Sequence, residues 1–129
     1  MRAFTLPLFG LFAMLAALAT SAAAAEPFTD KRFEELTGAG RIVVLDVHAE
    51  WCPTCRRQQP VLLKLVSAPP YQDFSVLVVD YDDQGDVRKR FKVARQSTLV
   101  VFKGPKETGR ATGVTEPEQI STVLDSARK

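Results

Sequence analysis

Apolar runs and helically spaced apolar residues alternate along the chain after its first 25 residues. Residues 42–47 and 74–79 are nearly continuous apolar and β-branched runs, the pattern of strands that are buried on both faces. Residues 98–102 predict a third strand and residues 107–112 a weaker fourth, with Gly104-Pro105-Lys106 as the hairpin turn between them. The pattern therefore predicts four strands of one sheet.

Helical patterns separate these strands. The predicted helices are a short one that Thr29 caps, a second around residues 61–66 that Pro60 should kink, a short basic one over residues 85–93, and a last one from the capping box Thr115-Glu116-Pro117-Glu118 to about Ala127. The resulting order αβαβαββα predicts an α/β sandwich with a mixed sheet, parallel in its centre and antiparallel at one edge.

The first 25 residues form a segment of a different kind. An apolar run over residues 3–18 follows a single basic residue, and Ala23-Ala24-Ala25 fits the small-residue rule for a cleavage site. An uncleaved membrane anchor is the alternative, but Pro7 and Gly10 interrupt the run, which is shorter than the roughly 20 apolar residues of a spanning helix. We therefore expect a signal peptide over residues 1–25.

The rest of the chain, residues 26–129, is long enough for one compact domain. It holds all 15 acidic residues and 16 of the 17 basic ones, so its net charge is +1 and gives no footprint for nucleic acid or anionic lipid. We expect export to the periplasm, a compartment in which disulfides persist.

Both cysteines of the chain lie in Trp51-Cys52-Pro53-Thr54-Cys55, three residues apart. Such a pair can form a structural bridge, bind a soft metal or exchange disulfides. A bridge across so short a loop removes little entropy from the unfolded chain and stabilises poorly. Disulfide exchange and metal binding remain, the latter with His48 as a third ligand for Cu(I) or Zn(II).

Residues 26–129 resemble the thioredoxin family over nearly their whole length. The resemblance is carried by the segment Leu45-Asp46-Val47-His48-Ala49-Glu50-Trp51-Cys52-Pro53-Thr54-Cys55, by Pro60, by Val79-Asp80-Tyr81-Asp82, by residues 98–104 and by Gly113. It implies the thioredoxin fold, a three-layer α/β/α sandwich with a central mixed β-sheet.

The chain also departs from the family pattern. Ser97 stands where thioredoxins carry a cis-proline that faces the cysteines. A cis peptide before serine would cost ~3 kcal/mol, so we predict a trans Gln96–Ser97 bond. His48 replaces a bulky aromatic residue, and Val78 stands in place of a lysine that often neighbours the buried aspartate.

The resemblance and the chemistry of the site assign roles to individual residues. Cys52, at the start of a helix, is the expected nucleophile, because free N–H groups and the positive end of the helix dipole stabilise a thiolate there. Cys55 is the expected resolving cysteine, and the resemblance implies that Asp46 shuttles its proton. The remaining predicted residues are Trp51, Gln96 and Ser97 for substrate binding and Pro53, Thr54 and His48 as modulators.

These assignments predict a periplasmic thiol–disulfide oxidoreductase that favours reduction, in cytochrome c maturation or envelope thiol homeostasis. We expect no cofactor besides the redox-active disulfide Cys52–Cys55. The expected partners are disulfide-containing proteins and a membrane electron donor of the DsbD or CcdA type, without nucleic acid, and the protein is expected to be a monomer. A copper or other soft-metal carrier using Cys52, Cys55 and His48 is the alternative function, and a non-catalytic interaction domain is a third.

Overall fold

The computed structural model describes residues 25–129, so the predicted signal peptide lies outside it except for Ala25. The strands are β1 (Glu26–Pro27), β2 (Ile42–His48), β3 (Phe74–Asp80), β4 (Thr98–Lys103) and β5 (Lys106–Thr112), and the helices are α1 (Asp30–Gly38), α2 (Pro53–Val66), α3 (Gly85–Arg90) and α4 (Pro117–Leu124), followed by a 3₁₀ turn (Asp125–Arg128). Among these residues, no helix is long and apolar enough to cross a membrane.

The strands form one sheet in the order β1-β3-β2-β4-β5. Strands β1, β3 and β2 run parallel, and β4 and β5 complete the sheet in antiparallel pairings. This arrangement confirms the predicted mixed sheet. Strand β1 is an addition to the prediction: it has only two residues, one of them Pro27, and such a segment carries no alternating pattern.

All seven residues of β2 are buried, because helices cover both faces of this central strand. Ile42 and Val44 pack in the same apolar cluster as Leu62 of α2 and Ile120 of α4. The intervening residues of β2 pack on the other face, in a cluster with Phe33 of α1. Helices therefore lie on both sides of the sheet, as in the predicted three-layer sandwich.

Two helix boundaries differ from the prediction. Helix α3 ends at Arg90 rather than at Val93, because Lys92 adopts a left-handed conformation with φ of +54°. The N–H of Val93 then donates to the carbonyl of Arg88 at 2.8 Å, which completes a Schellman motif. This motif usually has glycine at the left-handed position, and the lysine here is no signal for it.

The start of α4 also differs in its capping residues. Glu116, not Thr115, is the N-cap, and its N–H donates to the side chain of Gln119 at 3.5 Å. Pro117 follows in the first turn, as predicted, because proline has no N–H to leave unpaired there.

Candidate active site

Cys52 is the N-cap of helix α2, and its side chain accepts a hydrogen bond from the helix. The N–H of Cys55 lies 3.2 Å from the Cys52 sulfur. Burial raises the pKa of the Cys52 thiol, but hydrogen bonds from the Cys55 side chain and from the N–H groups of Cys55 and Thr54 oppose it. The balance leaves the pKa of Cys52 below its ordinary value. Pro53, the first residue of α2, occupies a position where no backbone donor is needed.

Cys55 lies one turn further along the helix and is fully buried. Burial, together with the hydrogen bond and the charge of Cys52, raises the pKa of the Cys55 thiol to about 11. Both cysteines are free thiols in the structure, and they pack with Ala49 and the partly buried Tyr81. The pair is therefore asymmetric: the pKa of the Cys52 thiol is lowered, whereas that of the Cys55 thiol is raised.

Asp46 is a fully buried carboxylic acid in the middle of the sheet. Its Oδ2 accepts a hydrogen bond from the Gln59 side chain at 2.8 Å, whereas its Oδ1 has no hydrogen-bond partner among the residues that the structure describes. Val78 lies beside it on β3, so no lysine compensates the carboxylate from that strand. Desolvation raises the pKa of Asp46, opposed by the Gln59 hydrogen bond and the charge of His48. Gln59 lies four residues after Cys55, which places Asp46 against the same face of α2.

The peptide bond before Ser97 is trans, as predicted, since the cis bond found within residues 25–129 is Pro69–Pro70. Ser97 is nearly buried and adopts φ of +54°, in the left-handed region. Its N–H donates to the carbonyl of Val47 at 2.8 Å, a hydrogen bond that proline could not make. Its own carbonyl accepts from the N–H of Gly113 at 2.9 Å and from the side chain of Gln58 at 3.1 Å.

Gln96 and Trp51 lie at the rim of the cysteine pair. The amide side chain of Gln96 is one of the groups that lower the pKa of Cys52. Trp51 is 57% exposed, and its ring N–H donates to Asp82 at 2.8 Å. Its ring also meets Tyr81 edge to face, at a centroid distance of 6.2 Å. The indole is thus held in place while most of its surface remains open to solvent.

The three-ligand metal site proposed for Cys52, Cys55 and His48 is not formed. No three His, Cys, Asp or Glu residues within residues 25–129 group in a way that could hold a metal ion. His48 is buried, and its Nε2 lies 3.1 Å from the Glu50 carboxylate instead. The imidazole is therefore engaged with a carboxylate.

Two glutamines of helix α2 also belong to the site, although no sequence pattern singled them out. Gln58 is fully buried, and its side-chain amide donates to the carbonyls of Ser97 and Val114, at 3.1 and 2.8 Å. Gln59 is the hydrogen-bond partner of Asp46. Two adjacent polar residues in a helix suggest a face that is exposed to solvent. A buried polar group needs a hydrogen-bond partner, however, so the aspartate in the preceding strand was the signal that one of these residues would bind it.

A fold in which an ionisable cysteine caps a helix, with a buried cysteine one turn later, defines a protein that exchanges thiols and disulfides. The thioredoxin family model matches residues 24–126. Thioredoxin-1 of Saccharomyces cerevisiae is 33% identical over 85 residues, which cover 66% of this chain and 81% of that protein. The thioredoxin of Chlamydia trachomatis is 32% identical over 86 residues, 67% of this chain and 82% of its own.

Solved structures give the same result. Trxlp from Edwardsiella tarda superposes with a TM-score of 0.75 at 36% identity, covering 78% of this chain and 98% of that one. Oxidised mitochondrial thioredoxin 3 from Saccharomyces cerevisiae gives 0.68 at 28% identity, with 78% and 94% covered. The chain belongs to the thioredoxin family. It is a thiol–disulfide oxidoreductase that acts on disulfide-containing substrates.

Proposed function

We propose that Cys52 is the nucleophile of this oxidoreductase and Cys55 its resolving cysteine. The observation that carries this assignment is the asymmetry of the pair: the Cys52 sulfur accepts the N–H of Cys55 at 3.2 Å, whereas the Cys55 thiol is buried with a pKa of about 11. The thiolate is the reactive form of cysteine, so Cys52, whose pKa is lowered, is the better nucleophile of the pair.

In the reducing direction, the Cys52 thiolate attacks one sulfur of a substrate disulfide. A mixed disulfide forms, and the other substrate sulfur leaves as a thiolate that takes a proton from solvent. Cys55 must then lose its proton before it attacks the Cys52 sulfur and releases the second substrate thiolate. Asp46 is the proposed acceptor of that proton, since it is a buried carboxylate that contacts Gln59, on the same face of α2 as Cys55.

The proposed docking surface for substrates consists of Trp51, Gln96 and Ser97. Trp51 offers the exposed apolar area, and Gln96 lies beside the attacking sulfur. The left-handed Ser97 changes the course of the backbone at the position where thioredoxins carry the cis-proline. We therefore expect the choice of client proteins, rather than the exchange chemistry, to distinguish this chain from its relatives.

The proposed location is the periplasm, with residues 1–25 as a cleaved signal peptide and residues 26–129 as the active domain. Reduction in that oxidising compartment requires electrons from across the membrane, which a donor of the DsbD or CcdA type would deliver. Clients in cytochrome c maturation or envelope thiol homeostasis fit this role. Mass spectrometry of the exported protein tests the location: a mature N-terminus at Glu26 supports it, and an intact leader on cytoplasmic protein contradicts it.

The exchange mechanism is tested by reduction of a disulfide-containing protein with Cys52→Ser and Cys55→Ser variants. We expect turnover to be lost in both, and the Cys55→Ser variant to trap a mixed disulfide that dithiothreitol releases. Full activity of Cys52→Ser would refute the assignment. The direction is tested by the reduction potential: a value near −270 mV supports reduction, and one near −120 mV supports oxidation.

A further inference from the structure

His48, the single histidine of the chain, links the buried part of the site to solvent. Its Nε2 lies 3.1 Å from Glu50, whose side chain is 92% exposed, whereas the His48 side chain itself is 8% exposed. A carboxylate can only accept a hydrogen bond, so Nε2 carries the proton in this pair. The other ring nitrogen, Nδ1, is buried without a hydrogen-bond partner among residues 25–129 and can therefore accept a proton.

Asp46 lies two residues before His48 on strand β2, so both side chains project from the same face of the sheet. Within the described residues, Asp46 Oδ1 is also buried without a hydrogen-bond partner. When the imidazole of His48 holds both protons, its positive charge lowers the pKa of the Asp46 carboxyl group. Two unpartnered polar atoms on neighbouring positions of one face can be joined by a side-chain rotation or by a single bridging water.

We propose that His48 and Glu50 form a proton relay between Asp46 and solvent. This inference rests on the proposed role of Asp46 as the acceptor of the Cys55 proton. Protonated Asp46 delivers its proton to Nδ1, and the ring releases the proton on Nε2 to the Glu50 carboxylate, which exchanges it with water. One proton enters the ring and one leaves, so the imidazole ends neutral in its other tautomer.

The catalytic cycle restores that tautomer. Cys55 loses its proton when the protein reduces a substrate, and it regains one when a donor reduces the Cys52–Cys55 disulfide. The relay therefore runs outward in the first half-reaction and inward in the second, and no ring rotation is needed. The net proton balance over one cycle at these residues is zero.

Other charged groups face His48, but each is already engaged. Asp80 is the residue paired with His48 across β2 and β3, and its Oδ1 accepts the N–H groups of Asp82 and Asp83. Glu26 of β1 lines the same cleft and is held by Arg32 at 2.8 Å. The third cleft carboxylate, Glu50, has no such partner besides His48 in the part of the chain that the structure describes. It is therefore the acceptor that the geometry assigns.

The test is the rate of resolution of the mixed disulfide, followed from pH 5 to pH 9. Trp51, the single tryptophan, gives a fluorescence signal beside the reacting sulfurs. His48→Gln keeps a hydrogen-bonding side chain beside Glu50 but cannot carry a proton. We expect it to slow resolution at pH 7 about fivefold, well below the hundredfold or larger effect of losing a direct proton transfer, because water replaces part of the relay. Glu26→Gln, a carboxylate of the same cleft that the relay does not use, is the matched control and should leave the rate unchanged.

A double-mutant cycle separates a relay from a packing role. In an Asp46→Asn background the proton no longer passes through His48, so His48→Gln should have no further effect. An equal loss in both backgrounds, or no loss in either, overturns the relay. If Asp46→Asn slows resolution and His48→Gln does not, the relay alone is wrong. If Asp46→Asn itself has no effect, the proposed role of Asp46 fails and the relay fails with it.

Discussion

Replacing Asp46 by asparagine should stabilise the protein at neutral pH. The carboxyl group is fully buried, with one hydrogen bond from Gln59 and one oxygen without a partner. Asparagine keeps the shape and can still accept the Gln59 hydrogen bond through its carbonyl oxygen. The substitution therefore removes the cost of a buried charge and leaves the packing in place.

The size of this effect follows from the two opposing contributions to the charged state. Burying one ion costs several kcal/mol after relaxation, and one hydrogen bond to a charged group recovers about 1.5 to 3 kcal/mol. The net cost of ionised Asp46 is about 2 to 3 kcal/mol, and Asp46→Asn should increase the free energy of unfolding at pH 7 by that amount. For a domain of this size, the gain corresponds to a rise in Tm of about 10 °C or more.

The gain should also depend on pH in a defined direction. Burial raises the pKa of Asp46 in the folded state above its unfolded value of about 3.9. The unfolded chain then gives up its proton first, so wild-type stability falls as the pH rises from about 4 to the folded pKa and stays low above it. The difference between Asp46→Asn and the wild type should be largest at neutral pH and vanish below pH 4.

Urea unfolding of both reduced proteins at pH 3.5, 5 and 7 measures this difference, with the m-value as a check on two-state behaviour. Gln59→Leu is the complementary variant: it removes the one hydrogen bond to the carboxylate and should destabilise the protein at pH 7 more than at pH 3.5. Equal stability of Asp46→Asn and wild type at pH 7 would refute the energetic reasoning, as would a gain of the same size at pH 3.5.

Three further outcomes follow from the site. Absorbance at 240 nm should show the Cys52 thiolate forming below the ordinary pKa of cysteine and that of Cys55 only near pH 11; a single step for both thiols would contradict the asymmetry. Ser97→Pro loses the hydrogen bond to Val47 and cannot keep φ of +54°, so urea unfolding should show a loss of about 3 kcal/mol unless the bond before it becomes cis. Gln58→Leu removes two buried hydrogen bonds and should cost about 1 to 3 kcal/mol, and an unchanged unfolding midpoint would show that these bonds contribute nothing.

Most of the fold could be predicted from the sequence, because the apolar patterns of the strands are strong and local. The run around β2 is apolar at nearly every position, and a fully buried central strand requires such a run. Strand β1 and the end of α3 were missed for a different reason. Strand β1 is defined by its pairing with Leu77 and Val78, and the left-handed Lys92 by a hydrogen bond across a turn. Neither feature requires a residue type that would reveal it in the sequence.

The site was predictable where a residue's chemistry is unusual for its position. Two cysteines three residues apart before a helix, and an aspartate within an apolar strand, are unusual patterns, so Cys52 and Asp46 could be selected from the sequence. The hydrogen-bond partner of Asp46 could not be selected in this way. Gln59 is a common residue for a helix, and only the packing of α2 on the sheet brings it within 2.8 Å of Asp46.

The conformation of Ser97 likewise depends on partners that the sequence does not reveal. A serine in the left-handed region costs about 1 to 2 kcal/mol. Its N–H bonds to Val47, and its carbonyl receives hydrogen bonds from Gln58 and Gly113. At about 1 kcal/mol each, these three bonds outweigh the strain. The hydrogen bond to Val47 requires the N–H of residue 97, and the hydrogen bond from Gln58 requires its buried side-chain amide. The trans Gln96–Ser97 bond therefore depends on several residues that act together. Ser97→Pro alone would therefore break this set of hydrogen bonds.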